Sequence, residues 1–141
     1  MYTSDIEGRY GQINKTGFVY LLIALFCALF GAVYERFSHE VYSGYMIYAF
    51  AFPLAGGTLP YMMLSVSGCR RLPGRLSLNL YNTGIATLTV GSIMQGVLDI
   101  YGTTNDLLKV YWFAGFGFTL TGLSVYILKD SKIKHGTEKL P

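Results

Sequence analysis

Residues 17–34 read GFVYLLIALFCALFGAVY, a run of eighteen residues without a charged side chain. Three further charge-free runs follow along the chain, at residues 41–69, 76–98 and 110–128. A helix needs about 20 apolar residues, with a range of about 17–25, to cross a bilayer core about 30 Å thick. Each run is long enough, so the sequence predicts an all-α fold, a four-helix transmembrane bundle. The predicted spans cover residues 17–34, 43–67, 78–100 and 109–128.

The composition also favours a membrane environment. Hydrophobic residues make up 52% of the chain and charged residues 13%, whereas a soluble domain carries about 25% charged residues. So few charges leave too little polar surface to cover a water-soluble core. No small-x-small cleavage pattern follows the first run, so we expect a retained span rather than a signal peptide. Residues 1–141 are therefore expected to form a single integral membrane domain, in contact with membrane lipid, with residues 129–141 as a cytoplasmic tail.

The positions of Lys and Arg predict the orientation. Nine of the eleven lie in the N-terminal segment, in the loop between the second and third runs, or in the tail. The two other loops carry only Arg36 and Lys109. Short loops rich in Lys and Arg stay in the cytoplasm. We therefore expect both termini to be cytoplasmic and the protein to lie in a plasma or inner membrane.

The second run is longer than one span requires, and it contains Pro53 and Pro60 with Gly56 and Gly57 between them. A proline lacks a backbone donor and disturbs the preceding turn of a helix. The sequence therefore predicts a bent second helix.

A weak internal similarity relates the two halves of the chain, because both the first and the third span open on a Thr-Gly pair, at residues 16–17 and 83–84. Two tandem helical hairpins related by an axis along the membrane normal would explain this match. Apolar helices of similar composition produce such matches as well, so both interpretations stay open.

Polar and small residues recur at every fourth position of the third span, at Asn79, Thr83, Thr87, Gly91, Gln95 and Asp99. Residues four apart lie above one another on a helix. Helix packing through small residues is the favoured interpretation of this row. The alternative is a polar path between the first and third helices, because the amide of a glutamine in hydrocarbon needs partners. The candidate residues for this path are Thr87, Gln95, Asp99 and Glu35.

The outer loops carry a second candidate site, an acid-rich cluster that contains Arg36, His39, Glu40 and Asp106. An acid-rich mouth can concentrate cations, although ionisable residues also gather wherever a span meets water. Glu35 and Asp99 are the two acids nearest the spans, and a pair of carboxylates can perform acid–base chemistry. The sequence does not show whether these two groups converge.

Sequence motifs exclude several classes of function. The chain has no HExxH, Cys-x-x-Cys, Gly-x-Ser-x-Gly or glycine-rich phosphate loop. His39 and His135 lie in a loop and in the tail, where they cannot ligate a haem inside the membrane. Cys27 and Cys69 are expected at different depths, which disfavours both a disulfide and a metal site. We therefore expect no catalytic set, no cofactor and no metal, and the net charge of +3 does not suggest nucleic acid.

These observations predict a non-enzymatic membrane protein, either a partner subunit of a membrane complex or a small oligomeric transporter. Four helices enclose little volume alone, so a homo-oligomer or a larger membrane-protein partner is expected. The alternative is an intramembrane enzyme or a lipid-binding protein that uses the outer acidic cluster. Tyrosines near the span ends, including Tyr20 and Tyr81, are expected to act as interfacial anchors.

Overall fold

The computed structural model describes residues 2–68 and 72–137, with side chains from residue 7 onward except at 130 and 133–137. Within this part of the chain every regular element is helical, which confirms the all-α prediction. The elements are α1 (Tyr2–Phe37), α2 (Gly44–Ile47), a π-helical stretch (Phe52–Thr58), α3 (Leu59–Val66), α4 (Arg75–Ile100), a 3-10 turn (Asp106–Leu108) and α5 (Lys109–Thr137).

The four helices that are long and apolar enough to cross a membrane are Glu7–Phe37, Gly44–Val66, Arg75–Ile100 and Asp106–Lys129. Gly44–Val66 joins α2, the π-helical stretch and α3, and is called the second segment below. The first and last helices continue beyond the predicted spans, and α5 extends through residue 137 of the predicted tail. Neither helix contains a proline, so no missing backbone donor ends it at the limit of its apolar run.

The second segment is irregular, as its two prolines predict. Its middle part is π-helical and begins with a proline at its second position. Pro60 has no N–H to donate to the carbonyl of Gly56 four residues earlier. The hydroxyl of Tyr81, on α4, donates a hydrogen bond of 2.7 Å to that carbonyl instead. A side chain from the third span thus satisfies a backbone acceptor that the proline leaves free.

Local capping ends α1 and α4 at the same end of the protein. The Ser38 hydroxyl donates to the Glu35 carbonyl at 2.7 Å, and His39 and Glu40 then take the left-handed backbone conformation with φ of 54° and 68°. Gly102 follows α4 with φ of 69°, and its N–H donates to the Asp99 carbonyl while the next N–H reaches Leu98. This pair of bonds is a Schellman motif, which requires a residue that adopts positive φ readily.

The inward face of α1 packs against the second segment. Its buried positions alternate in steps of four and three residues, the spacing of left-handed helix pairs. These positions are Ile13, Gly17, Tyr20, Ala24, Cys27 and Gly31. A Cβ atom added to Gly17 would lie 3.3 Å from the Tyr61 Cβ, and one added to Gly31 would lie 3.1 Å from the Met46 carbonyl oxygen. Glycine on α1 therefore allows the two backbones to approach closely.

The second segment also packs against α4, again through glycine. A Cβ added to Gly96 would lie 2.8 Å from the Met46 backbone nitrogen, and one added to Gly56 would lie 2.5 Å from the Ile85 Cδ1. The buried Ser92 hydroxyl donates to the Tyr45 carbonyl at 2.7 Å. The second segment therefore lies between α1 and α4 and contacts both.

The backbone of α5 packs against α4. A Cβ added to Gly115 would approach Leu88, and one added to Gly122 would lie 2.6 Å from the Tyr81 backbone nitrogen. In the described residues, the α5 backbone approaches no helical element other than α4 and the turn before it, and the α1 and α4 backbones do not meet. The helix backbones thus follow one another in a row in chain order, and the Trp112 ring of α5 also reaches the rings of Tyr45 and Phe52 in the second segment.

Candidate functional site

The ends of the helical row differ in charge. We call the end with Glu35 and Asp99 the acidic end, and the end with Arg9, Lys15 and Arg75 the basic end. The sequence placed its candidate site residues at the acidic end and along α4. The structure shows how those residues are bonded, and it also shows a cleft at the basic end.

Asp99 links α4 to the start of the second segment. Its Oδ2 accepts a hydrogen bond of 3.0 Å from the hydroxyl of Ser43, the buried residue that precedes α2. Its Oδ1 accepts a hydrogen bond of 3.1 Å from the Nε2 of Gln95, one turn earlier on the same helix. Two of the predicted path residues are therefore brought together, and both carboxylate oxygens have partners.

Glu35 is not part of this network. It is half-buried near the end of α1, and its Oε1 is the one enclosed side-chain polar atom without a hydrogen-bond partner among the described residues. No hydrogen bond joins Glu35 to Asp99 or to His39 in this part of the chain. A joint role of the two acids in acid–base chemistry stays a prediction.

The centre of the polar row on α4 faces a different helix from the one that the sequence suggested. The Thr87 hydroxyl donates to the Thr83 carbonyl of its own helix at 2.7 Å. Gly91 is buried, and an added Cβ would lie 2.7 Å from the Tyr111 Cβ of α5. The centre of the row therefore packs against α5, not against α1. Gly17 and Gly31 of α1 likewise lie against the second segment, because the rotation of the helix directs them there. The polar path itself stays a prediction.

The outer cluster is open to solvent. Arg36, His39 and Glu40 are exposed, and Asp106 is exposed in an ion pair of 2.7 Å with Lys109. Across the residues that the structure describes, no three His, Cys, Asp or Glu side chains are grouped so that they could hold a metal ion. Cys27 is a buried free thiol, and Cys69 lies outside the described residues. The members of the outer cluster thus do not form a built site.

The Asp99 network predicts a specific effect on stability. Asp99→Leu removes the acceptor of the buried Ser43 hydroxyl and of the Gln95 amide, so the free energy of unfolding should fall by about 1–3 kcal/mol. Asp99→Asn retains a carbonyl oxygen and should have a smaller effect. Denaturant titration followed by helical circular dichroism measures both values. Equal stability of the two variants would show that Asp99 does not hold the second segment on α4.

A tyrosine–asparagine cluster joins three helices near the basic end. The Asn82 Oδ1 on α4 accepts hydrogen bonds from the Tyr20 hydroxyl at 2.9 Å and the Tyr61 hydroxyl at 2.5 Å. The two tyrosine rings stack with centroids 5.7 Å apart, and both residues are buried. Tyr20 and Tyr81 therefore form internal hydrogen bonds, and the prediction that they are interfacial anchors is wrong. Burial of their hydroxyls requires internal acceptors, which the other helices supply.

A cleft of about 420 Å³ opens at the basic end, between the first half of α1 and the start of α4. We call it the basic cleft. Three cationic side chains line it, Arg9, Lys15 and Arg75. Neutral polar side chains and apolar side chains complete its wall, namely Gln12, Thr16, Tyr61, Asn79 and Asn82, with Ile13, Leu72, Pro73 and Leu78. Among the residues whose side chains are described, no carboxylate lines the cleft, so its wall combines positive charge with neutral donors and can receive an anion.

The sequence alone does not indicate this cleft, because orientation also explains the basic residues. Asn79 falls on the four-residue polar row of α4, whereas Asn82 does not. A usable signal was present, because an asparagine inside an apolar span needs a partner. The partners are 62 and 21 residues away along the chain. Comparison with protein-family models, with curated proteins and with solved structures finds no match to this chain.

Proposed function

We propose that this chain is a four-span integral membrane protein that acts as a non-catalytic subunit of a homo-oligomeric membrane assembly, with both termini in the cytoplasm. Four helices of sufficient length and apolar character support the membrane residence. Nine of the eleven Lys and Arg residues lie in the N-terminal segment, in the loop between the second and third spans, or in the tail, and this distribution supports the orientation. The two packed pairs, α1 with the second segment and α4 with α5, are consistent with tandem hairpins.

The proposal of an oligomer is based on the exposure of the outward face of α5. Only 11% of the residues in its apolar stretch are buried, against 28–39% in the other three helices. Gly117, Thr121 and Ser124 are exposed on this helix, and nothing lies within 4 Å of a Cβ added to Gly117. Two residues correspond to about 200° of rotation. Gly117 and Ser124 are therefore roughly opposite Gly115 and Gly122, which already pack against α4.

A small-residue seam on the outward face favours a second helix there rather than lipid alone. Glycine and small hydroxyl residues let membrane helices approach closely, which gains van der Waals contact. The Thr121 hydroxyl is bonded to the Gly117 carbonyl at 2.7 Å, so it needs no outside partner and adds little bulk. One seam of this kind is self-complementary, which suits a two-fold contact between copies of the chain. Such a contact would cover the outward face of α5.

The oligomer is tested by adding bulk at the seam. Gly117→Leu should convert most of the dimer to monomer, because a leucine at this position prevents close approach of two α5 helices. Native mass spectrometry of the protein in detergent reads the state directly. The matched control is Ala28→Leu, which adds bulk to an exposed position of α1 and should leave the dimer intact. A wild-type monomer, or a dimer unaffected by Gly117→Leu, would overturn the proposed contact.

Membrane residence and orientation are tested separately. An epitope tag at either terminus should be inaccessible to antibody in intact cells and become accessible after the membrane is permeabilised. The same tags should stay with the membrane fraction during a carbonate wash. Labelling of either tag in intact cells would contradict the proposed orientation, and release by carbonate would contradict the membrane residence.

A further inference from the structure

The basic cleft continues into an apolar groove. A second cavity of about 380 Å³ lies along α1 and α4, with Pro53 of the second segment among its lining residues. Its apolar lining includes Val19, Ile23, Ala86 and Val90. Thr16 and Asn82 line both cavities. The two cavities therefore adjoin, and together they present a cationic mouth above an apolar channel along the helices.

The groove exists because α1 and α4 are held apart. Each packs on the second segment, and their backbones do not meet in the described part of the chain. Tyr20 bridges the space by its bond to Asn82, so the groove has a fixed floor rather than a collapsed contact. An elongated apolar ligand could lie in it without displacing any helix contact.

We propose that this combined site binds one anionic phospholipid, with the headgroup phosphate in the basic cleft and an acyl chain in the groove. Arg9 and Arg75 carry planar guanidinium groups, which suit phosphate oxygens, and Lys15 adds a third positive charge. The Asn82 Oδ1 accepts from two tyrosines, which leaves its amide N–H₂ available as a donor. The inference rests on the proposed membrane residence, and it does not depend on the oligomer.

A lipid fits the site better than free phosphate does. Inorganic phosphate has no apolar part that the groove could bury, whereas burial of an acyl chain removes apolar surface from water. The basic end is also where the helices leave the apolar layer, which is the depth of lipid headgroups. The described lining of the cleft contains three cations and no carboxylate, which favours an anionic headgroup over a zwitterionic one, whose ammonium would meet those cations.

The test is native mass spectrometry of the delipidated full-length protein in detergent, titrated with three probes: dioleoyl phosphatidylglycerol, dioleoyl phosphatidylcholine and inorganic phosphate. We expect one phosphatidylglycerol per chain, bound more tightly than phosphatidylcholine, and no displacement by phosphate. Equal affinity for the two lipids would overturn the headgroup assignment. Displacement of the lipid by inorganic phosphate would show that the cleft binds a free anion, and this result would overturn the proposal of a lipid ligand.

Two variants separate the headgroup from the chain. The double variant Arg9→Gln/Arg75→Gln should weaken phosphatidylglycerol binding about 25-fold, roughly fivefold for each charge removed near a headgroup. Ala86→Phe, which fills the groove and keeps every charge, should weaken both lipids. Retention of lipid by either variant would overturn the part of the site that it alters. Circular dichroism confirms that each variant is folded before it is titrated.

The control for general electrostatics is Lys132→Gln. Lys132 is exposed at the same end of the protein and does not line the cleft. This variant should bind phosphatidylglycerol within about twofold of the wild type, since lipid attraction per basic residue falls off within a Debye length. A loss as large as that of a single cleft arginine would assign the binding to net charge and overturn the site. The same spectra report the number of chains, so failure of the oligomer is recorded separately from failure of the lipid site.

Discussion

Gly84→Ala is expected to lower the free energy of unfolding by about 3 kcal/mol, the upper part of the range for overpacked cores. A Cβ atom at this position of α4 would lie 2.5 Å from the Thr119 backbone nitrogen and 2.8 Å from the Gly115 carbonyl oxygen, and it would also meet the Thr119 hydroxyl. Backbone atoms cannot rotate aside as a side chain can. The variant must therefore separate α4 from α5, and α4 is the helix that holds α5 in the row.

Denaturant titration in detergent, followed by helical circular dichroism, measures this loss. The matched control is Gly11→Ala on α1, where nothing lies within 4 Å of the added Cβ. The control should be neutral or more stable by up to about 1 kcal/mol, because alanine favours a helix over glycine. If the two variants had the same free energy of unfolding, α4 and α5 would not be packed as closely as the Gly84 contacts indicate.

Asn82→Leu is expected to cost about 1–4 kcal/mol, since two cross-helix hydrogen bonds are lost at roughly 0.6–2 kcal/mol each. Leucine keeps the branched shape of the asparagine side chain, with a larger volume, and offers no acceptor to the Tyr20 and Tyr61 hydroxyls. Both tyrosines are buried, so their hydroxyls would stay enclosed without a partner. The three helices joined at this point would then be held by apolar contact alone.

The control is Asn79→Leu, the same change on the same helix at an exposed position, which should have little effect on stability. A double-mutant cycle with Tyr61→Phe isolates the hydrogen bond itself. The Asn82→Leu and Tyr61→Phe losses should sum to more than the loss in the double variant, because the two residues share one interaction. Strict additivity would show that the bond contributes nothing, whatever the single variants do.

Asn82 also connects stability with the proposed lipid site. Its oxygen binds the two tyrosines, while the residue lines both the basic cleft and the groove. The hydrogen bonds from the two tyrosines fix the orientation of the Asn82 side chain, and therefore of its amide nitrogen, before a ligand binds. A preorganised donor of this kind loses little freedom when a ligand binds. Asn82 therefore belongs both to the cluster that joins three helices near the basic end and to the proposed site.

The sequence by itself determined that the fold is all-helical, where the four apolar helices lie, and where the second of them is irregular. These are local properties. A charge-free run of about 20 residues and a proline inside it act through neighbours within one or two turns. The same local signals do not report where a helix stops beyond the apolar run, and α1 and α5 both continue further than predicted. The tandem repeat and the polar path stay predictions.

Only the tertiary structure decided which face of each helix meets which neighbour. Gly91 packs against Tyr111 on α5 instead of against α1, and Tyr20 bonds to Asn82, 62 residues away, instead of anchoring at an interface. Apolar surface surrounds these helices on nearly every side, so hydrophobic patterning cannot specify their rotation. Rotation is set by the fit of glycines against large side chains and by the need of buried polar groups for partners. Those long-range contacts determine the order of the helices in space. They also determine the cleft and the groove between α1 and α4.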